Sequence, residues 1–252
     1  GPWPCSCIVD LMEYSTVVGL SVSRYSAKKI DDEIRKVHRE IAALAEERLA
    51  EFRRIWESGD DTALFAELAF CLLTPQSGAR RCAQAVERLK KSGNLFHGGF
   101  DDICPDLNIV RFKNNKTRYL IEAREKFWSG GVSLRELLGE CGDARSMRKL
   151  LVDSVRGIGF KEASHFLRNI GLGEDLAILD RHVLRVMAGL ELLGSVPVVA
   201  GGPGRVAIPQ SLSGTKYIVL EERLRKYAAR AGVPMGHLDF VLFYMATGDI
   251  FK

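Results

Sequence analysis

The sequence predicts an all-α protein, and three observations carry that prediction. No run shows the sustained period-two alternation of a half-buried strand. Apolar residues instead recur at three- and four-residue steps, most plainly at Ile30, Ile34, Val37, Ile41, Leu44, Leu49, Phe52 and Ile55, with charge on the opposite face. The stretches between periodic segments are helix punctuation, such as Ser58-Gly59-Asp60-Asp61 and Ser92-Gly93-Asn94. With 252 residues the chain can bury a substantial core, as one large domain or as two lobes.

Residues 1–25 are poorly periodic and form an N-terminal extension with no assigned role; Gly1-Pro2 reads as a scar of tag cleavage. A long amphipathic helix begins at Ser26 and breaks at 58–61. A more apolar helix follows from about Thr62 to Leu73, then the turn Thr74-Pro75-Gln76-Ser77-Gly78, then a helix from near Ala79 to 92–94. Helical pattern resumes at about Lys116 to Trp128, after the polar Lys113-Asn114-Asn115, and returns at Ser133–Leu138 and Asp143–Val155, with Asp143 as N-cap. A helix from Asp180 to about Leu193 precedes a Pro/Gly-rich stretch at 194–214, whose 198–207 portion reads as a surface insertion. The last helices cover about Thr215–Ala231 and Pro234–Ala246.

Composition narrows the classes. No apolar run approaches the ~18 residues of a membrane helix, so no membrane partner is expected. The net charge of +4 does not by itself indicate nucleic acid. Its distribution adds support, because Arg80, Arg81, Arg88, Lys90 and Lys91 form one basic group and Arg111, Lys113, Lys116, Arg118, Arg124 and Lys126 another. A third group, Arg145, Arg148, Lys149, Arg156, Lys161 and Arg168, brackets the stretch discussed next. The six cysteines follow no pairing pattern; Cys71 and Cys82 lie in apolar helical context and read as reduced core residues. No metal site is expected.

The most informative stretch runs from Val152 to Met187. A helical turn ends at Val155, a tight Gly157-Ile158-Gly159 hairpin follows, and a second helix opens at Phe160-Lys161. Glycines at 157 and 159 let backbone N–H groups converge without Cβ interference, so hairpin and helix N-terminus together can hold a phosphate. Ile158 anchors the turn, and Arg156 stands beside it. Nineteen residues after Lys161, Asp180 closes the apolar run Leu176-Ala177-Ile178-Leu179 and opens another helix. Taken singly, Lys161 reads as a solvated first-turn lysine and Asp180 as an N-cap; in this order and spacing they form a strong joint signal.

The stretch Gly-Ile-Gly-Phe-Lys-Glu-Ala-Ser-His-Phe-Leu-Arg-Asn, followed by Ala-Ile-Leu-Asp-Arg-His-Val-Leu, resembles the helix-hairpin-helix, Gly/Pro-rich, Asp superfamily of DNA glycosylases. Within it the match is to type 2 8-oxoguanine DNA glycosylase/AP lyases, and it extends from about residue 30 to Lys252. The resemblance implies two helical lobes around a cleft, the hairpin lobe spanning about 61–180 and the second lobe 26–60 plus 181–252. It implies that Lys161 is the nucleophile and Asp180 its catalytic partner. It places Gln76, on the 74–78 turn, in the gap left by an extruded base or against the orphaned partner. The terminal Lys252 would fold into the base pocket, and Phe243 stands where an aromatic, often tryptophan, stacks on the base. Relatives often hold a monovalent cation through hairpin carbonyls, and no other cofactor is implied. The absence of cysteine after Cys141 leaves no place for the C-terminal iron–sulfur cluster of the endonuclease III branch.

The chemistry implied is flipping of the damaged nucleotide, attack of a neutral Lys161 on C1′, a Schiff base and β-elimination. An ordinary lysine titrates near ~10.4, so the nucleophile calls for a dry cleft. His165 and His182 read as structural. The partner is double-stranded DNA containing 8-oxoguanine, and a monomer of cytoplasmic, nucleoid-associated activity is expected. Two alternatives remain: a related glycosylase for another damaged or mismatched base, and a noncatalytic hairpin module. The second is disfavoured because such modules are short and usually repeated.

Overall fold

A computed structural model describes residues 26–198, 207–209, 211–248 and 250. The extension 1–25, most of the 198–207 insertion and Lys252 lie outside the described residues. What is described is built from helices, α1 to α12.

Helix α1 (Ala27–Glu57) starts at Ser26, whose hydroxyl accepts from Lys29 N. Its buried stripe is Ile30, Ile34, Val37, Ile41, Ala45, Leu49 and Phe52. Leu44 is exposed, against expectation, because the step from Ile41 that stays on one face leads to Ala45. Helix α2 (Asp61–Leu73) is capped by Asp60, which accepts from Thr62 and Ala63 N–H groups, and every residue from Leu64 to Leu73 is buried. A helix apolar all round must sit at the centre of its core.

After α3 (Ala79–Ser92) come two short helices absent from the sequence reading, α4 (Asn94–His97) and α5 (Phe100–Asp106), and a 3-10 turn at Leu107–Ile109. With seven residues or fewer, and Pro105 within α5, they are too short to display a period. Helix α6 (Lys113–Arg124) begins three residues before the expected Lys116 and passes into a π-helical turn at Glu125–Ser129. Its start is set by Phe112, whose backbone is left-handed. Then follow α7 (Leu134–Gly139), α8 (Ala144–Ser154, capped by Asp143), α9 (Phe160–Asn169) and α10 (Arg181–Gly189). Helix α10 stops short of the expected Leu193, because Glu191 turns left-handed and Leu192 N bonds back to Met187 O. Helices α11 (Gly214–Ala231) and α12 (Met235–Thr247) complete the set.

Two apolar cores result. One joins α2 to α9, from Leu64 to Leu176. The other joins α1 with residues Ala177–Met245, including α10, α11 and α12. Helix α1 packs on α12 and α10 and also touches α2 and α9, so it borders both. At Gly171 (φ +77°) a Cβ would lie 2.5 Å from Arg53 Cα; only glycine lets the end of α9 approach α1 this closely.

Candidate active site and DNA-facing surface

The hairpin forms as the sequence requires. Helix α8 ends at Ser154, Ile158 is buried and its N–H bonds to Val155 O at 3.3 Å, and Gly159 caps α9. Gly157 has φ +90°, and a Cβ there would meet the Tyr119 ring at 2.4 Å, so both conformation and space demand glycine. The Glu162 carboxylate turns back to accept from Gly159 N–H at 3.3 Å. Arg156 is exposed beside the hairpin, paired with Glu122 at 3.0 Å and stacked over Tyr119.

Lys161 projects from the first turn of α9. Its Nζ donates to Thr74 Oγ1 at 3.5 Å and lies 3.6 Å from Glu162 Oε1, its ion-pair partner among the described residues. The side chain keeps 26% of its exposure, so the site is open on one side. Thr74 donates its own hydrogen to Cys71 O, which leaves its oxygen as acceptor for the lysine.

Asp180 caps α10, and one carboxylate oxygen, Oδ1, accepts both His182 N–H and Val183 N–H at 2.8 Å. The segment that delivers it is clamped from α11 and α8. Tyr217 OH donates to Ala177 O (2.7 Å) and accepts from Leu179 N–H (3.1 Å), while Glu221 accepts from Ala177 N–H (2.9 Å). Glu221 is in turn held by both Arg148 terminal nitrogens, at 2.6 and 3.0 Å, in a fully buried pair, and Arg148 also reaches Ser164 on α9. Burial pushes the Tyr217 hydroxyl above its ordinary range, which keeps it a neutral donor.

Asp239 on α12 lies 3.3 Å from Arg168. Burial raises its pKa, opposed by the Arg168 charge, with the Asp180 carboxylate raising it further and Lys161 lowering it. Arg168 lies over the rings of Phe52 and Phe240. His165, one turn beyond Lys161, is buried edge-on against Phe70, in keeping with a structural role.

Phe70 also lines a cavity of about 710 Å³, with Phe52, Glu67, Ala66, Arg80 and Ile250 among its walls. Its size suits a small-molecule site. Gly248, left-handed at φ +70°, turns the chain out of α12 ahead of Ile250, while Lys252 lies outside the described residues. Phe243 is half-buried on α12 and does not line this cavity.

Gln76 is exposed with φ +54°, an uncommon backbone for a residue with a side chain. Its loop is pinned by Lys116, whose Nζ donates to Leu73 O (2.6 Å), Pro75 O (2.8 Å) and Ser77 Oγ (2.9 Å). Burial pushes Lys116 down to about 8, and it likewise pushes the neighbouring Cys82 thiol up to about 11. Ser77 Oγ also accepts from Arg111 N–H, which joins the loop to Phe112, 54% exposed at φ +58°.

The basic groups read from the sequence are divided by the fold. Lys116, Arg124, Arg148 and Arg168 are buried with internal partners and contribute no surface charge, whereas Arg80, Arg81, Arg88, Arg111, Arg118 and Arg156 remain outward. Sequence reasoning missed Phe112, Lys116, Thr74, Glu162, Asp239 and the Arg148–Glu221–Tyr217 clamp. Phe112 alone had a signal, an aromatic set in the polar run Arg111-Phe112-Lys113-Asn114.

Comparison with known proteins agrees with the all-helical fold. Residues 45–233 match the Ogg-HhH model, described as 8-oxoguanine DNA glycosylase. An 8-oxoguanine DNA glycosylase/AP lyase of Fusobacterium nucleatum is 39% identical over 222 residues, covering 88% of this chain and 97% of that protein. The crystal structure of the 8-oxoguanine DNA glycosylase of Thermotoga maritima superposes with a TM-score of 0.75 at 34% identity, covering 90% of this chain and all of that one. The Methanocaldococcus jannaschii 8-oxoguanine glycosylase/lyase, in complex with a 15mer DNA containing 8-oxoguanine, gives 0.76 at 26% identity over 89% of this chain and all of that one. The chain therefore belongs to the Ogg-HhH family of 8-oxoguanine DNA glycosylases.

Proposed function

We propose that this chain is a bifunctional DNA glycosylase/AP lyase that removes 8-oxoguanine from double-stranded DNA, with Lys161 as nucleophile and Asp180 as its partner. The observation that carries the reading is the placement of Lys161 at the opening of α9, directly after the hairpin, together with an Asp180 carboxylate held rigidly as the cap of α10.

The Nζ lone pair attacks C1′ while the bond to the base breaks and the base leaves with its electron pair. Opening of the sugar ring yields an iminium joining Lys161 to C1′. Loss of a proton from C2′ then breaks the C3′–O3′ bond and cuts the strand 3′ to the lesion. Asp180 stabilises positive charge developing on the sugar; its Oδ1 is fixed by two backbone N–H groups, so the carboxylate needs no reorganisation. A bound duplex would cover the exposed side of Lys161 and complete its desolvation.

Gly157, Ile158 and Gly159 offer the backbone grip for a phosphate, with Arg156 alongside. Val155 O, which accepts a long bond from Ile158 N–H, retains a lone pair for a monovalent cation. Gln76 and the exposed Phe112 face the duplex, and the cavity reached by Ile250 is the candidate base pocket. Phe243, outside that lining, is the weaker candidate for stacking on the base. In this reading one chain acts alone, in the cytoplasm, on the chromosome.

Borohydride trapping tests the reading on a duplex carrying one 8-oxoguanine opposite cytosine. A covalent adduct on the damaged strand, absent with undamaged DNA and with Lys161→Gln, is expected. Binding without any adduct would refute the imine mechanism for this lesion.

A further inference from the structure

Among the described residues, three without glycine's freedom adopt positive φ, and two of them, Gln76 and Phe112, are held together although they belong to different loops. Gln76 follows α2 and Phe112 precedes α6. Strained backbone of this kind persists only where its surroundings enforce it. The enforcing group is buried Lys116. Its ammonium takes Leu73 O at the end of α2, where the helix dipole favours a cation, Pro75 O in the turn that follows, and the Ser77 hydroxyl that also accepts Arg111 N–H. Gln76 is thereby fixed by the carbonyl before it and the hydroxyl after it, and Phe112 by the backbone bond at its preceding residue.

We infer that Lys116 is a positioning residue that locks Gln76 and Phe112 into one two-pronged probe of the duplex. The inference rests on the reading that these two side chains face DNA. The charged or titratable groups acting on Lys116 are Cys82 on α3, Lys161 and Glu162 on α9, and Arg111 before α6. Because Lys161 is among them, the test must separate positioning of the probe from an effect on the nucleophile.

The experiment compares single-turnover excision from a fully paired 8-oxoguanine:cytosine duplex with excision of the same lesion carried as an unpaired bulge, where opening of the pair is already achieved. Lys116→Met is expected to slow the paired substrate by about tenfold or more and the bulged one by less than about threefold. Ser77→Ala keeps the ammonium and removes only the shared hydroxyl; it should bias the two substrates in the same direction, and it decides the matter if Lys116→Met does not fold. The double variant Lys116→Met/Gln76→Ala should be no slower than the slower single one. Equal slowing of both substrates, or additive effects in the double variant, would overturn the inference. If Gln76→Ala and Phe112→Ala both leave the paired substrate untouched, the DNA-facing reading fails instead. If either of them matters while Lys116→Met and Ser77→Ala do not, the positioning role alone is lost.

Discussion

Replacing Arg148 by methionine strands the Glu221 carboxylate in a site where its side chain is 1% exposed. What remains near it is the Ala177 N–H and, at 3.8 Å, the guanidinium of Arg225. Breaking one side of a buried ion pair costs about 3–5 kcal/mol; the residual contacts with Ala177 and Arg225 place this case near the lower end, about 3 kcal/mol. For a chain of this size that lowers Tm by roughly 6–12 °C. Replacing both partners, Arg148→Met with Glu221→Leu, removes the stranded charge and leaves mainly the unpaired Ala177 N–H, so the double variant should recover part of the loss and sit about 1–2 kcal/mol below wild type. Urea unfolding followed by circular dichroism measures wild type, each single variant and the double. The double variant should nevertheless remain slow in single-turnover excision, because the backbone ahead of Asp180 has lost the Glu221 bond to Ala177 N–H and is held there by Tyr217 alone. An Arg148→Met protein within about 1 kcal/mol of wild type, or a double variant as unstable as the sum of the singles, would refute the reasoning.

Three other outcomes follow from the geometry. Asp180→Asn should stay within about 0.5 kcal/mol of wild type, since asparagine caps as well as aspartate, whereas Asp180→Ala loses about 1 kcal/mol; both should lose roughly hundredfold or more in excision rate, which separates cap from catalysis. Gly157→Ala forces a left-handed alanine against the Tyr119 ring and should cost about 2 kcal/mol by thermal unfolding, with weaker binding to undamaged duplex. Lys116 titrates lower in the folded chain, at about 8, than in the unfolded one, near 10.5, so the unfolded state binds more protons between those values and stability rises with pH across that window. Relative to Lys116→Met, the wild type should gain about 3 kcal/mol between pH 8 and pH 10.5 in urea titrations, and a flat difference would contradict the assignment.

The long helices were legible because period and punctuation agree: the α1 stripe and the caps Asp143 and Asp180 stand where the pattern puts them. Helices α4 and α5 were not, being shorter than the window over which a period can be read. The hairpin was legible because Gly157 is required twice over, by φ and by Tyr119, although Tyr119 itself is invisible until the chain folds. Buried charge was the main blind spot. Nothing local distinguishes Lys116 from Lys113, or Arg148 from Arg145, because what sets them apart is a carbonyl or carboxylate 41 or 73 residues away.

The division of apolar surface also bears on the order in which the protein is made. Residues Leu64–Leu176 close their core from one continuous stretch, so this half can consolidate while the remainder is still being translated. Helix α1 has no such option: its stripe is covered mainly by α12, which begins about 180 residues later. At ~5–20 residues per second that interval lasts roughly ten to forty seconds, during which Ile30, Ile34 and Val37 have no final partner. The nascent chain therefore carries an uncovered oily ribbon along α1 until α12 emerges, and chaperone capture of ribosome-bound intermediates should concentrate there.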